Sequence, residues 1–128
     1  MAAFGDEFEP ELITVAYGTN DWSIRTVEEF KLACADFYRN LTHNYPNTKI
    51  IAITPIWRND MYEERPFGDF LNVEPCIREC TKVFPNVKVI SGYDLVPHDE
   101  MYFADRRLHP NDIGFEHYFS NLIKMIQE

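Results

Sequence analysis

Two residues far apart in the chain carry side chains suited to handling charge on a reacting group: Asn20, in Gly18-Thr19-Asn20-Asp21, and His109, in Leu108-His109-Pro110-Asn111-Asp112. A carboxamide beside a glycine N–H can donate hydrogen bonds to a developing oxyanion, where losing one donor removes roughly 3–4 kcal/mol of transition-state stabilisation. A histidine with a carboxylate nearby can serve as a general base. Each piece also has a plain reading. Gly-Thr-Asn-Asp is an ordinary turn that ends a strand, and a histidine before proline can be a satisfied loop residue. Their placement around a sheet is what gives the pair weight.

The elements that would position them follow from hydrophobic periodicity. The run Leu12-Ile13-Thr14-Val15-Ala16-Tyr17 is continuous rather than alternating, so residues 11–17 read as a strand buried on both faces. Thr26-Val27-Glu28-Glu29 has the form of a capping box, and Val27, Phe30, Cys34, Phe37, Leu41 and Tyr45 recur at helical spacing until Pro46. Residues 49–54 form a second buried strand, followed by a polar, irregular stretch, 56–69, read mostly as solvated loop. A short helix then starts at Glu74-Pro75 with an apolar stripe of Ile77, Cys80, Thr81 and Phe84. Residues 87–91 are the third strand. A long loop, 92–108, leads to a final amphipathic helix from about Asp112 to Gln127 with Phe115, Tyr118, Phe119, Leu122 and Ile126 on one face.

The order β-α-β-α-β-α implies a parallel sheet with right-handed crossovers. All three strands then end on one edge, so Asn20, residues 56–69 and residues 92–109 converge in one cleft. Trp57, Arg58 and Tyr62 are candidates for its wall. His43 and His117 lie on helices and read as structural, and His98 with Asp99 and Glu100 lacks the spaced partners of a metal site. No metal and no cofactor is expected.

At 128 residues the chain has the length of one domain, 1–128, able to bury roughly two thirds of the surface its unfolded form exposes. It has 45% hydrophobic, 26% charged and 15% aromatic residues, which is globular composition with aromatics to spare for a cleft. A net charge of −9 with scattered Lys and Arg argues against nucleic acid and anionic membrane surfaces as partners. The acidic N-terminus shows no secretory pattern. Cys34, Cys76 and Cys80 read as free thiols packed as small hydrophobes in a reducing compartment, so the expected location is cytoplasmic. Asn40-Leu41-Thr42 matches a glycosylation sequon inside a helix and reads as a chance match.

With these residues in place, the chain resembles the SGNH hydrolases, the GDSL-type lipases and acylhydrolases. Gly18-Thr19-Asn20-Asp21 is similar to their third sequence block, and Asp105 with His109-Pro110-Asn111-Asp112-Ile113-Gly114 to their fifth. The resemblance implies a three-layer α/β/α, flavodoxin-like fold, here truncated to about three strands. It implies an esterase acting on a small ester, such as an acetylated carbohydrate, with Asn20 as side-chain oxyanion donor, His109 as base and Asp105 as the carboxylate that orients it. From the residues themselves, the Gly18 N–H beside Asn20 is a second candidate oxyanion donor and Trp57 a candidate at the substrate. Two departures stand out. The Gly-Asp-Ser block with the nucleophile is missing, and none of Ser23, Ser91 and Ser120 sits in the strained, exposed turn a nucleophile needs. Asp105 lies four residues before the histidine where the family has three, so a one-residue bulge, or a backbone carbonyl instead, would have to orient the ring. In the family's strand order the strand at 11–17 would be left as a bare edge, covered either by self-association into a homo-oligomer or by an upstream polypeptide. The other reading is an inactive remnant that serves as a structural or partner-binding module.

Overall fold

The computed structural model describes residues 10–127; the acidic lead lies outside the described residues. Strands β1 (Leu12–Ala16), β2 (Lys49–Ile53) and β3 (Val87–Ile90) form one parallel sheet in the order β1-β2-β3. Leu12 pairs with Lys49, and Ile50 with Val87. Helices α1 (Thr19–Ile24) and α2 (Val27–Asn44) connect β1 to β2, α3 (Val73–Thr81) connects β2 to β3, and α4 (Asp112–Gln127) follows β3. The α/β architecture is the one expected from the sequence.

Strand β2 explains why the sheet needs cover on both sides. Ile50 and Ala52 point into a core with Phe30, Cys34, Tyr38 and Leu41 of α2 and Val73, Cys76 and Ile77 of α3. Ile51 and Ile53 point the other way, packing with Ile90, Leu95 and Leu122 of α4. Side chains alternate across a strand, so a run without polar residues must be covered on both faces. For residues 11–17, β1 lies at the sheet edge as the strand order implies, but burial on both faces is corrected: Leu12 is 44% exposed, and Thr14 and Ala16 are open to solvent. Nothing among the described residues pairs with its outer side.

Local signals set the helix starts. Glu29 N–H donates to Thr26 Oγ1 at 3.2 Å and Thr26 N–H donates to Glu29 Oε1 at 2.8 Å, so the capping box forms. Within α2, Tyr38 rather than Phe37 enters the core, and Phe37 instead stacks on Tyr17 at 5.1 Å between ring centroids. The Tyr38 hydroxyl is buried without a hydrogen-bond partner. Helix α3 begins at Val73, preceded by a 3-10 turn at Phe70–Asn72, so Pro75 sits inside the first turn rather than at its first position. Helix α4 buries Leu122 but leaves Phe115, Phe119 and Ile123 exposed, because it covers β2 and β3 and not β1.

The stretch 56–69 is not a solvated loop. Arg58, Asp60, Met61 and Phe67 are buried. Cys34 and Cys76 are buried and Cys80 is half-buried, all three as free thiols. Burial pushes the Cys34 and Cys76 thiols up. Among the described residues no helix is long and apolar enough to cross a membrane, and no group of three or more His, Cys, Asp or Glu is placed to hold a metal ion.

Candidate active site

The chain from Phe103 to Pro110 folds back on itself. Phe103 and Pro110 form an antiparallel bridge, and Ala104 N–H donates to the His109 carbonyl at 2.7 Å. Arg106 at the tip has φ 59°, a left-handed conformation uncommon outside glycine. That residue absorbs the extra position between Asp105 and His109. The loop wraps the Asp105 carboxylate: Oδ1 accepts the backbone N–H groups of Arg107 (2.8 Å), Leu108 (2.9 Å) and His109 (3.1 Å). Oδ2 lies 2.6 Å from His109 Nδ1.

Burial works to raise the Asp105 carboxyl, but the His109 ring and the three backbone donors outweigh it and hold the group well below the usual carboxylate range. An ionised Asp105 can only accept, so Nδ1 of the neutral ring carries the proton and Nε2 is left with its lone pair. The imidazole itself is 70% exposed. Behind it, Asn111 locks the start of α4: its Oδ1 accepts from Gly114 N–H at 2.9 Å and its Nδ2 donates to the Met101 carbonyl at 2.8 Å. Gly114 permits this close approach, since a Cβ there would lie 2.2 Å from the Tyr102 carbonyl oxygen.

Asn20 reaches its place through α1, a six-residue helix absent from the sequence expectation. Gly18, with φ 114°, turns the chain out of β1. It is buried against Phe30 and Val73, so the glycine acts through backbone freedom and close packing. Trp22 anchors α1, donating from Nε1 to the Gly68 carbonyl at 2.8 Å.

Arg58 holds the same segment from the other side. Its guanidinium forms a two-point pair with Asp60 (2.5 and 2.9 Å) and donates to the Thr19 carbonyl at 2.7 Å. It also lies 4.8 Å from the Trp22 ring centroid. Arg65 adds a contact to Asp60 at 3.3 Å. Burial works to raise the Asp60 carboxyl, and the two guanidiniums overcome it, leaving the group below its ordinary value. Sequence reasoning placed Arg58 only at a cleft wall. The signal for burial, a charged residue surrounded by Trp22, Asp60 and Thr19, exists in space and not along the chain.

Asn20 and His109 line one cavity of about 500 Å³. Its floor is Thr14, Ala16, Ile53 and Thr54, and its far wall is Phe115, Tyr118, Phe119 and Leu122 of α4. No serine or cysteine is among the described residues that line it. Trp57 does not reach this cavity: its ring stacks on His98 at 5.6 Å and packs against Phe103. Tyr62 is exposed at a separate hollow. Ser91 donates to Glu74 at 2.7 Å, outside the cavity, while Ser120 is exposed on α4. His98 contacts Asp94 (2.9 Å) and the Tyr93 carbonyl (3.0 Å), and His117 packs edge-on to Tyr102, both in structural settings.

The chain matches no protein-family profile and no curated protein. Solved structures do share its fold. A salicylyl-acyltransferase from a tetracycline biosynthetic pathway superposes with a TM-score of 0.71 at 18% identity, covering 91% of this chain and 37% of that one. A carbohydrate esterase family 3 from Talaromyces cellulolyticus superposes with a TM-score of 0.67, also at 18% identity, covering 92% and 58%. The chain therefore shares the α/β fold of these structures, and it spans 37–61% of their length.

Proposed function

We propose that the chain is part of an SGNH-type ester-cleaving enzyme in which Asn20 donates to the oxyanion, His109 Nε2 is the general base and Asp105 orients the ring. The observation that carries this reading is the 2.6 Å contact from Asp105 to His109 Nδ1, with His109 and Asn20 on one cavity. The base accepts a proton from a serine hydroxyl as that oxygen attacks the ester carbonyl, then returns it to the departing alcohol. The serine comes from polypeptide outside these 128 residues. Likeness to an esterase and an acyltransferase supports acyl chemistry. Gly18 and Trp57 are not required by this arrangement.

The lack of a serine or cysteine at the cavity favours a second reading for the chain by itself, an inactive module that binds a partner. One assay separates the two. The 128 residues are tested on a chromogenic short-chain ester alone and after adding a fragment with a Gly-Asp-Ser block. Hydrolysis on mixing, lost in His109→Ala, supports the split enzyme. No hydrolysis in either case supports the inactive module, and hydrolysis by the chain alone overturns the assignment of an external serine.

A further inference from the structure

Strand order decides which segment meets both halves of the site. Strand β2 is flanked by β1, which leads to Asn20, and by β3, which leads to the His109 loop. Three consecutive residues after β2, Arg58, Asn59 and Asp60, reach to both. Towards Asn20, the buried Arg58 guanidinium donates to the Thr19 carbonyl at 2.7 Å and to Thr19 Oγ1 at 3.3 Å. Towards His109, Asn59 N–H donates to the Arg107 carbonyl at 2.9 Å, and Asn59 Nδ2 donates to the Arg106 carbonyl at 3.2 Å and to Glu100 Oε2 at 3.3 Å. Asp60 Oδ2 accepts from Arg58 and lies 3.9 Å from Arg107 Nη1.

The three residues are braced internally. Met61 N–H donates to the Arg58 carbonyl at 3.2 Å, closing a turn, and the two-point Arg58–Asp60 pair stiffens it. Both ends of the site lean on that turn. Helix α1 has six residues, too few to hold a helix in water without outside contacts. On the other side, the carbonyls at the tip of the His109 loop, Arg106 and Arg107, find their donors in Asn59. Arg107 passes the contact on, since its N–H donates at 2.8 Å to Asp105, the carboxylate that meets the His109 ring. Among the described residues no hydrogen bond or ion pair joins 18–25 directly to 99–111.

We propose that the turn Arg58-Asn59-Asp60 is a strap that fixes the Asn20 donor and the His109 base relative to each other, with Asn59 the positioning residue on the histidine side and Arg58 on the asparagine side. The roles of the two ends rest on the ester-cleavage reading; the coupling between them stands on the hydrogen bonds. Both ends serve one carbonyl, so a change of about 1 Å in their separation lowers the rate on the order of a hundredfold.

Amide and imidazole resonances of the chain read this coupling without a nucleophile. Asn59 is exposed, so Asn59→Asp spares the core while it removes the Nδ2 donor and sets a carboxylate against Glu100 and the Arg106 carbonyl. It should move the amides of residues 105–109, give the His109 ring nitrogens a mixture of tautomers, and move the amides of residues 18–20, which lie beyond its direct contacts. Asn59→Ala, which removes the donor without adding charge, should give the same pattern with smaller shifts. Arg58→Lys keeps a charge for Asp60 but loses the fork that also reaches Thr19, and should move residues 105–109 in turn. Leu32→Asp, on the exposed side of α2, should move neither set. Asn59→Asp shifts that stop at residues 99–111, or an unchanged His109 ring, overturn the strap. With the Gly-Asp-Ser fragment added, Asn59→Asp should lower kcat at least about tenfold and leave KM within about twofold, and an unchanged kcat also overturns it. No hydrolysis by the unaltered mixture, with the resonances moving as expected, counts against ester cleavage and not against the strap.

Discussion

At the residue scale, one carboxylate organises the histidine loop. Asp105 accepts three backbone N–H groups and the imidazole, so neutralising it releases the turn and the ring together. Asp60 and Glu74 are likewise held below their ordinary values, Glu74 because hydrogen bonds from Ser91, Thr54 and Arg78 outweigh its burial. A carboxyl depressed in the folded state stabilises the protein above its unfolded value, about 4, and that contribution is lost as pH falls through the folded values. The urea midpoint should therefore hold from pH 7 to about 5 and drop steeply below about 4. In Asp105→Asn the drop should be shallower. Arg58→Ala leaves Asp60 buried without its main partner and should cost about 3–5 kcal/mol in chemical denaturation. That Asn20 and His109 share a cavity was legible because their types and flanking Gly18 and Pro110 stand next to clear strand and helix boundaries. Arg58 was not, since a charged residue in a polar stretch reads as solvated until Trp22 and Asp60 are seen around it.

At the element scale, β2, the capping box of α2 and the whole of α4 were readable because each rests on a local pattern: an unbroken apolar run, a Thr-x-x-Glu spacing, a helical stripe. Helix α1 left no such trace. Six residues with one buried side chain, Trp22, make too short a period to detect, and its stability comes from contacts with Gly68 and Arg58 far along the chain. The open face of β1 has a similar origin: its place at the edge follows from the strand order, but that α4 leaves Thr14 and Ala16 uncovered is not written in the strand itself. The junction of α4 with the histidine loop is the element contact the site depends on. Gly114→Ala forces a methyl group to within 2.2 Å of the Tyr102 carbonyl, so the helix must move. A loss of about 1–3 kcal/mol in thermal unfolding is expected, with displaced His109 and Asn111 resonances. Unchanged resonances there would mean that α4 does not set the position of the histidine.

At the scale of the whole molecule, the free edge of β1 dominates behaviour in solution. Five residues without a charge, Leu12 to Ala16, present unpaired backbone groups on their outer side. Such an edge templates pairing with another chain. We propose that a second copy or an upstream polypeptide covers it, as expected from the apolar composition of the strand. Sedimentation velocity over a concentration series should show association, and Leu12→Lys should weaken it without changing the melting temperature by more than a degree or two. A single monomer at every concentration would remove the idea. The structures that share this fold contain more polypeptide than this chain reproduces, which is consistent with an edge that needs company.

The thiols between α2 and α3 give the molecule an internal clock. Cys34 and Cys76 are sealed in the core and held protonated, while Cys80 is half open to water. A disulfide-exchanging dye should modify Cys80 promptly and wait for the two helices to part before it reaches the others. The slow phase of colour development then times how often the folded chain opens.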